Sequence, residues 1–164
     1  MTKRAFAPVV DDSTRLLILG SLPGDASLKA AQYYAHPQNA FWRLIGGLIG
    51  RDLSALPYPD RLNALKGVGV GLWDVIASAD RAGSLDAAIR SPEAADLVGL
   101  VESLPGLQAV AFNGSTASKL GRRILAARHE ITLIDLPSSS PAHARPVAEK
   151  AGQWAVLKPF VGLA

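Results

Sequence analysis

The chain has 164 residues, 49% hydrophobic and 19% charged, with a formal net charge of +3 and no cysteine. That length and balance suit one folded domain with a sizeable core and argue against disorder, and no run is long and apolar enough for a membrane span. The absence of cysteine excludes disulfides, thiolate zinc sites and cysteine-bound iron–sulfur clusters, while the small basic excess suits a limited phosphate-contacting surface without demanding one.

Residues 1–14 read as a loosely ordered lead-in to a single domain spanning 1–164. Asp11 and Asp12 arrive before any long apolar stretch, so a secretory signal is not expected and a cytoplasmic protein is. Arg15 to Leu19 is an apolar run short enough for a fully buried strand, broken by Gly20 and Pro23-Gly24. A long loop follows, carrying Tyr33, Tyr34, His36 and Asn39. From Asn39 a helical stripe runs through Phe41, Leu44, Ile45, Leu48 and Ile49, and Asn39 is placed to cap it.

Beyond the proline-rich Leu56–Asp60, a short helix is expected over Arg61–Lys66 and a second strand over Val68–Ile76, ending near Trp73-Asp74. Ser84 to Ser103 reads as helix, with Ser91-Pro92-Glu93 as its cap, first-turn proline and acidic residue. Leu107–Phe112 is a third strand closed by Asn113-Gly114, and Ser115–Arg128 a helix bearing Lys119, Arg122, Arg123 and Arg128. Ile131–Leu136 is a fourth strand, Ser138–His143 a loop, and Pro146–Val161 a closing helix. This alternation predicts an α/β fold: a three-layer α/β/α arrangement around a four-stranded, mainly parallel sheet. Its strand ends would bring Asn39, Trp73-Asp74, Asn113 and the Ser138–His143 loop to one edge, where such sheets bind ligands.

Two blocks carry a resemblance. Gly20-Ser21-Leu22-Pro23-Gly24 followed by YYAHPQNAFW, and about a hundred residues later Leu136-Pro137-Ser138-Ser139-Ser140-Pro141-Ala142, resemble the two signatures of the uracil-DNA glycosylase superfamily. Phe112-Asn113-Gly114 and Gly71-Leu72-Trp73-Asp74 fall between them in a fitting order. The chain looks most like the hypoxanthine-DNA (deoxyinosine) glycosylase branch, with the mismatch-specific uracil/thymine glycosylases nearby. Where many uracil-removing members carry Asp or Asn two residues after the first glycine, this chain has Leu22, which favours the deoxyinosine branch. The same residue keeps open a different class, a nucleic-acid-binding relative without catalysis.

The resemblance implies excision of a deaminated base by base flipping and water attack, with damaged DNA as partner and no cofactor or metal. Neither signature block offers a lysine amine placed for a Schiff base, Lys29 lying on a segment expected to be exposed, so monofunctional action is expected; nothing points to an obligate oligomer, so a monomer is expected. Extraction, stacking and stabilisation of the departing base can be done by rings, amides and small loop residues alone. Tyr33 or Tyr34 is the candidate stacking platform, or else packs in the core; Trp73 is a further base-binding candidate. The resemblance makes Asn39 the lead catalytic residue, through an amide that can orient water or donate to the base. Asp74 is the second candidate, as a base or else a capping carboxylate. Asn113 can contact the base edge or serve the turn. His143 would stabilise the leaving base, whereas His36 is expected to bond backbone. Gly20, Ser21, Pro23, Gly24, Ser138, Ser139, Ser140 and Arg145 are the expected DNA-gripping positions, the serine loop also filling the space that the flipped nucleotide vacates.

Overall fold

The computed structural model describes residues 2–162. In chain order the elements are β1 (Thr2–Arg4), β2 (Leu16–Gly20), α1 (Asp25–Ala30), α2 (Phe41–Ile49), α3 (Tyr58–Gly67), β3 (Val70–Asp74), β4 (Ile76–Asp80) and β5 (Arg90–Ala94). They continue with α4 (Leu97–Ser103), β6 (Ala109–Asn113), α5 (Ser115–Ile124), β7 (Thr132–Leu136) and α6 (Val147–Trp154), which runs into a 3-10 helix, Ala155–Phe160.

The central strand β2 is apolar at nearly every position because both of its faces are covered. Strands β3, β2, β6 and β7 lie side by side in that order, all parallel. Side chains alternate across the sheet: Leu16 and Ile18 pack with α2, α3 and the Trp154 end of α6. Leu17 and Leu19 join a second core with Leu97 and Val101 of α4 and Ala117 of α5. The predicted stripe on α2 is as expected, Phe41, Leu44, Ile45, Leu48 and Ile49 all being buried. The expected three-layer fold is therefore present, and its four parallel strands open their carboxyl ends onto one edge.

Four local expectations change. The lead-in is not loose: β1 pairs antiparallel with β4, and Val9 bridges to Leu72 on the far side of β3. The strand expected over Val68–Ile76 divides. β3 ends at Asp74, and after Val75 the chain leaves the parallel sheet to form β4 of a second, antiparallel sheet ordered β1-β4-β5. Ser91-Pro92-Glu93 does not cap a helix but lies in β5, an exposed edge strand where a proline leaves no ladder bond unmade. The helix begins later, at α4, where the Asp96 side chain accepts from the Gly99 amide. Composition favoured helix there, but pairing with β4 decided otherwise. The helices expected to reach Arg128 and Val161 stop at Ile124 and Trp154.

Candidate active site

The floor of the site follows from where the strands stop. Gly20 ends β2 and is paired in register with Asp74 at the end of β3. A side-chain carbon at position 20 would sit 2.8 Å from the Asp74 Oδ1 and 3.2 Å from the Tyr34 hydroxyl. Glycine is thus required so that the carboxylate and the phenol can converge over the backbone. Asp74 is 4% exposed, and its Oδ2 has no hydrogen-bond partner. Burial, then the neighbouring Asp86 carboxylate, push its pKa up from 3.8 to about 7, against the opposing pull of Arg81. An unpartnered buried carboxyl that titrates near neutrality is what a general base needs.

Tyr34 reaches this point through a backbone in the left-handed region, φ 54°, unusual for a bulky residue. Its ring stacks on Phe41 with centroids 4.0 Å apart and planes inclined by 15°. Its hydroxyl is buried, and burial, followed by the Asp74 charge, raises its pKa against the opposing pull of the Asn113 side chain. Tyr33 is different. Its ring packs edge-on to Phe6 within the core, 3% exposed, and burial raises its pKa as well. Both tyrosines border the cleft, Tyr33 from within the core against Phe6 and Tyr34 with its ring on Phe41 beside the Asp74 carboxyl.

The serine loop forms the opposite wall, and one residue ties it in place. Ser139, 1% exposed, exchanges two hydrogen bonds of 2.9 Å with Asn113: its amide donates to Oδ1 and its hydroxyl accepts from Nδ2. Its carbonyl accepts from the Ala40 amide at the entrance to α2. Three loops are therefore fastened through a single serine. Behind it, Trp154 donates to the Pro137 carbonyl at 2.9 Å and the buried Lys150 amine to the Ser140 carbonyl at 3.2 Å. Gly114, at φ 102°, makes the turn that brings Asn113 to this loop, with Ser138 close against it.

Asn39 stands just before α2. The N-cap position itself belongs to Ala40, but the Asn39 Oδ1 accepts from the Phe41 amide at 3.0 Å. One end of the amide is thereby committed to local structure, while Nδ2 is left for the cleft. His36 bonds locally as expected, its Nδ1 accepting from the Gln38 amide and its carbonyl from Asn39. His143 is half-buried with an unpartnered Nε2.

These groups border one cleft of about 1170 Å³. Asn39, Asp74, Tyr33, Tyr34, Asn113, His143, Gly20, Ser21, Pro23, Gly24, Ser138, Ser139, Ser140 and Arg145 all line it. Trp73 does not. Because strand neighbours point to opposite faces, the residue beside Asp74 turns away, and its indole donates to the Phe6 carbonyl at 2.8 Å. Of the cations expected on that helix, Arg122 in α5 and Arg128 beyond its end are occupied by carboxylates, whereas Lys119 stands exposed at the rim.

The β4–β5 connection is a wall that the sequence pattern did not announce. Ser84, Leu85 and Asp86 line the mouth. The Ser84 hydroxyl accepts from the Asp25 amide at 2.8 Å, and the Ser21 hydroxyl donates to Asp86 at 2.7 Å. Arg81, 2% exposed, donates to the Pro23 carbonyl at 2.6 Å and supports the glycine loop from behind. The turn signal at Gly83-Ser84 was the available clue; that it would reach the first loop was not readable from it.

The parallel α/β/α sheet carries this cleft at its carboxyl edge, and known proteins give the chain a family. The model of the uracil DNA glycosylase superfamily matches residues 7–161. A hypoxanthine DNA glycosylase from Methanosarcina barkeri is 42% identical over 155 residues, covering 94% of this chain and 97% of the relative. One from Methanosarcina acetivorans is 41% identical over 154 residues, covering 94% and 96%. The solution NMR structure of a Methanosarcina acetivorans protein, presented as a candidate uracil DNA glycosylase, superposes with a TM-score of 0.86 at 40% identity, covering 98% of this chain and 99% of that one. The chain belongs to the uracil DNA glycosylase superfamily, and it is a DNA glycosylase, a hydrolase of N-glycosyl bonds. Among the described residues, no helix is long and apolar enough to cross a membrane.

Proposed function

We propose that this DNA glycosylase excises hypoxanthine from deoxyinosine in DNA, working inside the cell as a single-domain monomer. The observation that carries the mechanism is the buried, unpartnered Asp74 carboxyl at the floor of a cleft walled by both signature loops. The relatives' names support the substrate.

In this mechanism the target nucleotide leaves the stack and its base enters the cleft. The Tyr34 ring, braced by Phe41, offers its remaining face for stacking, worth roughly 1–3 kcal/mol to any base. Ionised Asp74 takes a proton from water as the oxygen bonds to C1′ of the sugar. The C1′–N bond breaks, its electron pair leaves with the base, and positive charge on the sugar is relieved by the incoming water. The Asn39 Nδ2 and the His143 imidazole donate to the departing base. The Ser138–Ser140 loop and the Gly20–Gly24 loop bind flanking phosphates through backbone amides and hydroxyls, and Arg145 adds charge beside them.

Water as nucleophile is supported by the lining. Among the described residues the lysine that borders the cleft, Lys119, is exposed at the rim rather than at the floor, where a Schiff base would form. The chemistry calls on no metal or cofactor. Leu22, at the position where many superfamily members carry Asp or Asn, is buried in the core. Asp74 takes over the carboxylate's work from the neighbouring strand.

A second substrate class, uracil, is favoured by the structural relative presented as a candidate uracil DNA glycosylase. Incubation of the protein in EDTA with duplexes bearing inosine, uracil or a G·T pair, followed by alkali, separates them. Breaks at inosine are the expected result. Breaks confined to uracil or thymine would replace hypoxanthine as substrate, and no breaks on any duplex would leave a DNA-binding relative without catalysis.

A further inference from the structure

The buried face of α6 consists of Lys150 and Trp154, one helical turn apart. Trp154 is an ordinary core residue. Lys150 is not: it is 3% exposed, and among the described residues no carboxylate lies within ion-pairing distance of its ammonium. Burial, then the charge of Arg145, lower its pKa, so the charge that acts on it is another cation. Arg145 itself is held only at 3.6 Å by Glu149. Both cations stand at the amino end of α6, where the helix dipole disfavours positive charge. Burying an ammonium without a counter-charge is costly, and methionine would fill the same position without that cost. The lysine at 150 therefore works against the stability of the free protein.

The charge faces the back of the serine loop, and that loop is built to present donors. Its carbonyls turn inward. Pro137 accepts from the Trp154 indole, Ser139 from the Ala40 amide, and Ser140 from both the His143 amide at 3.0 Å and the Lys150 ammonium at 3.2 Å. The Ser138 and Ser140 hydroxyls each accept from a backbone amide, those of Ser140 and Ala142, and among the described residues they donate to no protein group. Their protons are left for an acceptor outside the loop. Lys150 does not border the cleft. It lies behind the loop and draws the Ser140 carbonyl back, where an outward carbonyl would repel an anion.

We propose that Lys150 is a buried counter-charge for a DNA phosphate held on the outer side of the serine loop, acting across the Ser140 peptide without touching the DNA. The free protein carries the unbalanced ammonium, and the bound phosphate balances it. This inference rests on the glycosylase reading for its ligand and adds to the site a residue outside the cleft.

The test compares the parent protein with Lys150→Met and with Lys150→Gln, which keeps a hydrogen-bond donor but drops the charge. The urea midpoint of Lys150→Met should equal or exceed the parent's. Fluorescence anisotropy is then read on a duplex holding a tetrahydrofuran abasic analogue. Both variants should bind about tenfold more weakly at about 50 mM salt and only about threefold more weakly at about 200 mM, since one phosphate interaction has left the salt slope. Single-turnover excision at saturating protein should stay within about threefold of the parent, placing the loss in binding rather than chemistry. A lowered urea midpoint with an affinity loss that ignores salt would make Lys150 a prop for the loop and overturn the proposal. Parental affinity in Lys150→Gln would do the same, by assigning the effect to the bond rather than the charge. If Lys150→Met does not fold, the salt slope of Lys150→Gln decides alone. The binding assay uses no target base: a parent inactive on inosine whose salt slope still depends on Lys150 would sink the substrate and keep the counter-charge. Inosine excision by the parent with parental salt slopes in both variants would sink the counter-charge and keep the substrate.

Discussion

Asp74→Asn tests the electrostatics of the site most directly, because it removes the charge and keeps the shape. With the carboxyl near 3.8 in the unfolded chain and about 7 in the folded one, the native state prefers the protonated form. The sign follows: stability from this group is fully present below about pH 3.8 and is lost as pH rises through 7. Each pH unit between the two values carries about 1.4 kcal/mol, so the ionised carboxylate costs the native state on the order of 4 kcal/mol at pH 8.5. Asparagine is spared that cost. Denaturant midpoints for both proteins, taken from pH 3.5 to 8.5, should show the stability difference moving toward the variant by a few kcal/mol across that range. Taking the difference cancels the other titrating groups. Excision should move in the opposite direction, the variant losing about 100-fold or more at pH 8, while the parent's rate rises toward a plateau above pH 7. A stability difference that does not vary with pH would refute the burial argument. An active Asp74→Asn with an unaltered pH profile would remove Asp74 as the base.

Asn39→Asp retains the acceptor used by the Phe41 amide and deletes the Nδ2 donor; thermal unfolding should be unchanged while excision falls about 100-fold. Asn39→Ala should lose activity as well, together with about 0.5–1.5 kcal/mol of stability, and full activity in the Asp variant would reduce Asn39 to a local acceptor. Ser139→Ala leaves the buried Asn113 Nδ2 without its partner, so unfolding should become easier by about 1–3 kcal/mol, measured in urea. Gly20→Ala would press a methyl group to within 2.8 Å of the Asp74 carboxylate, so a loss of about 1–3 kcal/mol and of most activity is expected; parental behaviour in both assays would show that the convergence over Gly20 is dispensable.

Most of the parallel sheet was readable from the order of residues, because strands buried on both faces must be apolar throughout. Leu16–Leu19 and Ala109–Phe112 have no polar side to disguise them. Parallel strands in turn bring their carboxyl ends together, so Gly20, Asp74, Asn113 and Ser139 could be gathered at one edge without any coordinates. Motif residues were legible for the same reason: they sit in the segments that leave strands whose direction was already settled. What sequence order alone could not decide was set by contacts between distant segments. Whether Arg90–Ala94 is helix or strand depends on β4 beside it, and the propensity of five exposed residues is too weak to resist that pairing. Trp73 and Asp74 differ only in which face of the sheet they take, so that pair divides between core and cleft at a single backbone step, and the left-handed backbone at Tyr34 sends its ring onto Phe41 while that of Tyr33 packs on Phe6. The carboxyl of Asp74 owes its neutrality-range pKa to burial and to Asp86 and Arg81, none of which is its neighbour in sequence. Leu85 is the extreme case: nothing in its local sequence marks it, and only the return of the hairpin tip to Ser21 and Asp25 carries an exposed leucine to the mouth of the site.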